Sequence, residues 1–384
     1  MARKVGVAVV GFGWMGRVHT QAYARLPHHF PQLNMRPELV AVADDVPGRA
    51  ANAAARYGFA TATEDWRQVA ADPRVQAVSI TAPNFLHREI GVAMARAGKH
   101  IWIEKPAGLS AADTRAVGEA ARKAAVHGAV GFNYRNAPAV AAARDLISAG
   151  EIGAVTHASF RMLSDYAAHP DGALTWRYER ERGGPGVLGD LASHGVDLAR
   201  YLLGEIDAVI ADTAVFIPER PRPARATAGH PRAAGGVPGA VENDDYVSCL
   251  LRFASGARGV LEACRVSVGE QNNYGFAVHG TRGAVRWDFR RMGELAVSSG
   301  NAYQDQPMRT IFVGPGDGEY AAFQPGAASA MSYDDLKVVE AYNFLRSVAE
   351  GVAYGATLDD AVRSAEVLEA MTASAEQGTW VSLR

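Results

Sequence analysis

Residues Val5 to Val10 form an almost unbroken apolar run that stops at Gly11-Phe12-Gly13-Trp14-Met15-Gly16, and a helical pattern follows from Arg17 to Leu26. A strand that is apolar on both faces belongs inside a parallel sheet. The spacing G-x-G-x-x-G takes its meaning from that strand–turn–helix setting. Gly11 permits a tight turn, Gly13 lets the backbone approach a pyrophosphate, and Gly16 lets the helix pack closely. The helix N-terminus then offers amide donors and the positive end of its dipole to phosphate. Phe12, Trp14 and Met15 lie in the same turn and count with the glycines as cofactor-binding residues.

The βα rhythm continues through the first third. Leu39 to Ala43 reads as a second strand ending on Asp44-Asp45. A carboxylate at that place accepts hydrogen bonds from ribose hydroxyls and repels a 2′-phosphate, so NAD is favoured over NADP, with Asp44 the better candidate. It lies farther along than the usual roughly 20 residues, and the proline-containing insert His28 to Pro37 absorbs the excess. Val75 to Ile80 leads into Thr81-Ala82-Pro83-Asn84, with a helix from His87 to Ala97. Ile101 to Ile103 leads into Glu104-Lys105-Pro106, and Ala129 to Phe132 into Asn133-Tyr134-Arg135. Polar residues thus recur at strand carboxyl ends, where open α/β sheets bind ligands. The expectation is a Rossmann doubly wound parallel sheet over residues 1–136, with Ala82, Pro83, Asn84, His87, Glu104, Lys105 and Asn133 on its cofactor side.

A chain of 384 residues is too long for one small core. After about residue 137 consecutive strand-like segments replace the alternation, which predicts an α+β domain over 137–384 with a large, mainly antiparallel sheet. Pro218 to Ala240, rich in Pro, Arg, Ala and Gly, reads as a solvated or partly disordered crossover loop, and Tyr303 to Ser329 as a long loop that could wrap a neighbouring subunit. A net charge of −2 provides no broad basic field for nucleic acid or an anionic membrane. Cys249 and Cys264 read as small buried hydrophobes in a reducing compartment. The apolar run after Arg3 and Lys4 is too short for a secretion signal, and no stretch reaches the roughly 18 apolar residues of a membrane span. A soluble cytoplasmic protein is the expectation.

In the second half, Gly183 to Tyr201 holds the polar residues Asp190, His194 and Asp197, which fall at i, i+4 and i+7 of a helix and so share one face. Three readings are open: a core histidine held by Asp190 or Asp197, a metal site, and acid–base chemistry. No further tight His/Cys pattern supports a metal, and none is expected. A histidine with an ordinary pKa near 6.5 can take a proton from an alcohol as hydride leaves its carbon.

The ordered set Gly11-x-Gly13-x-x-Gly16, Asp44, Pro83-Asn84 with His87, Glu104-Lys105-Pro106, Asn133-Tyr134-Arg135 and Asp190-x-x-x-His194 resembles the Gfo/Idh/MocA family of sugar and inositol dehydrogenases over nearly the whole chain. Trp176-Arg177-Tyr178, Gly189 to His194, Ile217 to Pro221 and Asn272-Asn273-Tyr274 are similar to its levoglucosan dehydrogenase branch, with Ser193 where that branch carries Thr. The resemblance implies NAD-dependent oxidation of a sugar or polyol hydroxyl. Its catalytic set maps onto Lys105, Asp190 and His194, with His194 as base, Asp190 orienting and Lys105 steadying charge on oxygen. The sugar would meet these three and Tyr134, Arg135, Asp165, Tyr166, Trp176, Arg177 and Asn273, for each of which packing or a surface salt bridge is an equal reading. Glu104 would line the nicotinamide pocket or balance Lys105. A homodimer or homotetramer through the second-domain sheet is implied. An NAD-dependent glycosidase that oxidises transiently and a non-catalytic dinucleotide-binding protein are the alternatives.

Overall fold

The computed structural model describes residues 3–224 and 229–383. The chain divides into two compact units, Met1–Asn133 with Ser332–Arg363, and Tyr134–Met331 with Ser364–Arg384.

In the first unit β1 (Arg3–Val10), α1 (Trp14–His29), β2 (Met35–Ala43), α2 (Arg49–Tyr57), β3 (Thr61–Thr63), α3 (Trp66–Ala71), β4 (Ala77–Ile80), α4 (Asn84–Arg96), β5 (His100–Ile103), α5 (Ala111–Lys123) and β6 (Gly128–Val130) follow one another. The six strands pair in the order β3-β2-β1-β4-β5-β6, all parallel. The order reverses between β1 and β4, the topological switch point at which such sheets take dinucleotides. The doubly wound Rossmann sheet is as the strand pattern predicts. Its central strands are apolar on both faces because helices cover both: Val7, Ala8, Val9, Val78, Ile80, Ile101 and Ile103 are buried.

The second unit opens with α6 (Pro138–Ser148) and β7 (Val155–Leu163). It continues through α7 (Arg180–Gly183), α8 (Ser193–Leu203), β8 (Ile206–Ala214), β9 (Glu219–Pro221), β10 (Pro238–Ala240), β11 (Tyr246–Phe253), β12 (Arg258–Cys264), β13 (Asn273–Gly280), β14 (Gly283–Asp288), β15 (Glu294–Ser299) and β16 (Arg309–Phe312). Two helices, α9 (Tyr333–Glu350) and α10 (Leu358–Gln377), and the short β17 (Val381–Ser382) end the chain. Nine strands form one sheet, β16-β15-β14-β13-β7-β12-β11-β8-β17, antiparallel except where β12 meets β7. Alternation sets its faces: Val247, Cys249 and Leu251 of β11 and Leu261 and Ala263 of β12 are buried, whereas Leu250 and Val260 point outward, 49% and 45% exposed.

Two segments differ from their sequence reading. Within Pro218–Ala240, β9 and β10 pair as an antiparallel ribbon and Arg220 is buried; the rest of that call, over 225–228, lies outside the described residues. Tyr303–Ser329 contributes the edge strand β16, and the buried Tyr320 hydroxyl ties it together by donating to the Gly326 or Ser329 carbonyl oxygen, each 2.8 Å away. Helix α9 belongs to the first unit through a buried face that includes Leu336, Val339, Phe344 and Leu345. Among the described residues no helix is long and apolar enough to cross a membrane.

Candidate active site

The glycine turn is built for close approach. Gly11 has φ +88°, and a Cβ there would sit 2.5 Å from the Ala82 amide nitrogen, so the turn after β1 lies directly on the chain leaving β4. A Cβ on Gly13 would meet nothing within 4 Å, which leaves open space where α1 begins. Phe12 packs its ring inward on Tyr57 and Phe59, while Trp14 stays 60% exposed and stacks on Tyr333 at 5.4 Å. Met15 Sδ accepts from the Tyr333 hydroxyl at 3.8 Å.

Asp44 is buried at the end of β2, whereas Asp45 is exposed. The Asp44 carboxylate accepts from the Phe12 amide at 2.6 Å and from the Val46 amide at 3.0 Å, and Arg49 Nη1 donates to it at 3.2 Å. It therefore braces the glycine turn from the end of β2. Pro83 caps α4 and Asn84 begins it. Asn133, past β6, is buried with neither its Oδ1 nor its Nδ2 partnered by protein. A buried amide left with both a donor and an acceptor to satisfy fits a ligand carboxamide, such as that of nicotinamide. Together with the open space at Gly13, this fits NAD.

His87 and Glu104, expected on the cofactor side, are both buried. His87 is buried, with Nδ1 2.7 Å from the Pro106 carbonyl oxygen and Nε2 2.7 Å from that of Ala82, and burial pushes its pKa down. A neutral ring donates to one of these two carbonyl oxygens, and the buried His87 spans the loops that follow β4 and β5. The Glu104 carboxylate is turned into a buried polar cluster. Its Oε1 accepts from Lys337 Nζ at 2.5 Å and faces His19 Nε2 at 2.9 Å, and its Oε2 accepts from the Lys105 amide at 3.3 Å. Lys337 Nζ also donates to Glu340 at 2.8 Å. His19, Glu104 and Glu340 are spaced as metal ligands are, but the Lys337 ammonium already bridges the two carboxylates. Burial lowers the His19 pKa to about 4 and raises that of Glu340 to about 7; Glu104 is held well below the usual carboxylate range, its burial outweighed by Lys337 and His19. Lys105 itself follows β5, half-buried, with a cis peptide to Pro106.

In the second unit the helix expected around Asp190 is two segments, a π-helical turn over Leu188–Ala192 and then α8. Such turns recur at functional sites because they re-aim side chains. The three polar residues of the expected common face each engage a different neighbour. Asp190 accepts from the Tyr166 hydroxyl; the His194 ring packs edge-on against Tyr134 at 4.6 Å; Asp197 forms a buried ion pair with Arg135. Burial, then the Asp190 charge, pushes the Tyr166 pKa well up, so its hydroxyl stays a donor. Tyr134 continues into an aromatic group with Tyr274 and Phe289.

Of the sugar-side candidates, Arg135 is committed to Asp197 and to the Tyr201 face. Asn273 accepts from Arg161 at 2.7 Å and donates to Glu270 at 2.7 Å, so both its ends are engaged in a surface network. Arg177 lies over Trp176 at 4.4 Å, and Asp165 is half-buried in the turn after β7. Sequence reasoning missed Arg49, Tyr333, His19, Lys337 and Glu340. Lys337 and Glu340, set three apart inside the apolar stretch of α9, carried a usable signal: charges on a buried helical face need partners.

Residues 5–132 match the model of an oxidoreductase family with an NAD-binding Rossmann fold, and residues 140–286 the GFO/IDH/MocA C-terminal domain. The chain belongs to the Gfo/Idh/MocA family. Within that family it is 36% identical to levoglucosan dehydrogenase of Pseudarthrobacter phenanthrenivorans over 99% of this chain and 98% of that one. It is 30% identical to inositol 2-dehydrogenase of Rhizobium meliloti over 90% and 97%. The solved structure of levoglucosan dehydrogenase with NADH and L-sorbose superposes with a TM-score of 0.93, covering 100% of this chain and 99% of that one, at 36% identity. As a Gfo/Idh/MocA protein, the chain is an oxidoreductase whose first unit carries the NAD-binding Rossmann fold.

Proposed function

We propose that this protein oxidises a secondary hydroxyl of a neutral sugar, anhydrosugar or inositol, using NAD in preference to NADP. The observation that carries the reading is that Lys105 after β5, Asp190 of the π turn and His194 of α8 stand in a chain similar to levoglucosan dehydrogenase over nearly its full length. The turn from Gly11 to Gly16, Asp44, Ala82 to Asn84 and Asn133 would hold the dinucleotide. Bound NAD supplies the hydride acceptor.

The chain's own residues manage the proton and the charge. His194 takes the proton of the reacting hydroxyl, a role worth roughly 10² to 10⁴ in rate. Asp190, its carboxylate fixed by Tyr166, orients the substrate. Lys105 donates a hydrogen bond to the reacting oxygen and steadies the negative charge that develops there, worth about 3 kcal/mol of barrier. The free, buried Cys249 and Cys264 suit a reducing compartment and a cytoplasmic enzyme. Leu250 and Val260, paired across β11 and β12 on the outward face of the sheet, support a homodimer or homotetramer formed through that face.

The test is a screen for NAD reduction across inositols, hexoses, anhydrosugars and glycosides, with NADP in parallel. NADH accumulating with one neutral polyol class supports the reading. Release of a free sugar from a glycoside without net NADH would replace it with transient-oxidation glycosidase chemistry.

A further inference from the structure

Residues 218–224 and 229–240 pack on the chain around Tyr166, whose hydroxyl donates to the Asp190 carboxylate, and form a strap there. One end is anchored by Arg220, which donates to the carbonyl oxygens of Ala167 at 2.5 Å and His169 at 3.2 Å and lies over the Tyr178 ring at 4.4 Å. The returning end is fixed by backbone: Ala173 N donates to Pro231 O at 2.8 Å, Ala233 N donates to Asp171 O at 2.9 Å, and Gly172 bridges Arg232. These anchors grip the chain just after Tyr166 and set the His230 ring 4.5 Å from the Tyr166 ring, tilted by 46°. Tyr166 in turn holds Asp190. His230 keeps an exposed edge.

We propose that His230 is a specificity-determining substrate-binding residue that exchanges a hydrogen bond with a second hydroxyl of the sugar oriented by Asp190. This rests on the sugar-oxidation reading above. A neutral imidazole carries one donor and one acceptor, which matches a hydroxyl and not an anionic sugar acid or phosphate. Desolvation where the ring packs on Tyr166, then the Arg177 charge, pushes the His230 pKa down, which favours the neutral ring at neutral pH. The ring is held in place by the strap and the Tyr166 face, so little entropy is lost when a ligand binds.

Titration calorimetry of NADH-loaded protein with levoglucosan, L-sorbose and an inositol tests this in wild type, His230→Phe and His230→Ala. Phe keeps the packing on Tyr166 and removes both ring nitrogens. Sugar affinity is expected to fall about tenfold in both variants, with NADH affinity and the His230→Phe melting temperature unchanged. Wild-type affinity in His230→Phe would overturn the proposal, as would a parallel loss of NADH binding. If wild type bound none of the three sugars, the sugar-oxidation reading and this proposal would fall together; sugar binding that is equal in wild type and variants removes this proposal alone.

Discussion

The Asp44 carboxylate braces the Phe12 amide of the glycine turn, with Arg49 drawn against it, and the proposed function gives it the ribose as well. Its place at the end of β2 was legible because an acid after an apolar run is visible in the sequence. Arg49 was not, since a lone arginine at a helix start reads as solvated. Arg49 partly neutralises the carboxylate, so the proposed preference for NAD rests on the negative charge that remains and on the space Asp44 occupies. Asp44→Ser is expected to raise the KM for NAD about tenfold while changing that for NADP little, as read from steady-state kinetics with both cofactors. An equal effect on both would remove the ribose role.

At the scale of the element, α9 holds the part of the site that sequence could not reveal. Nothing in the chain order tied Lys337 to Glu104, which follows β5 and lies 233 residues earlier. Similarly, the spacing Asp190-x-x-x-His194 marked a functional stretch, but the α-helical period put three polar residues on one face; the π turn at 188–192 breaks that period. The buried cluster also sets the pH dependence of stability. Folding keeps His19 neutral, so its contribution is complete above its unfolded pKa of 6.5 and is lost as pH falls toward about 4. Glu340 acts in the opposite sense: its folded pKa of about 7 means the folded state prefers the protonated acid, so stability is lost as pH rises from 4.5 through 7. Glu340→Gln removes only the second effect. Urea denaturation should find it equal to wild type near pH 4.5 and more stable by roughly 2 kcal/mol at pH 8. A gap that does not widen with pH would contradict the assignment. Lys337→Met, which strands Glu104 without its cation, should cost about 3 to 5 kcal/mol in the same measurement at pH 7.

Across the whole molecule, sequence separated a parallel from an antiparallel architecture because helices alternate with strands in one part and not in the other. It could not assign α9 to the first unit, since chain order carries no information about such a return. The outward face of the nine-stranded sheet offers Leu250 and Val260 side by side. The proposed assembly through this face predicts that wild type sediments as a dimer or tetramer and Leu250→Glu as a monomer in analytical ultracentrifugation, with the stability of the chain changed by no more than about 0.5 kcal/mol; an unchanged sedimentation coefficient would contradict that interface. The proposed function stands on Lys105, the lysine after β5, steadying charge on the hydroxyl oxygen as hydride departs from the carbon that bears it. The direct measurement is Lys105→Ala, followed by sugar-dependent NADH formation and by NADH binding on the same preparation. The account predicts turnover reduced by about 10² or more with NADH affinity within about twofold of wild type; normal turnover in the purified variant would contradict it.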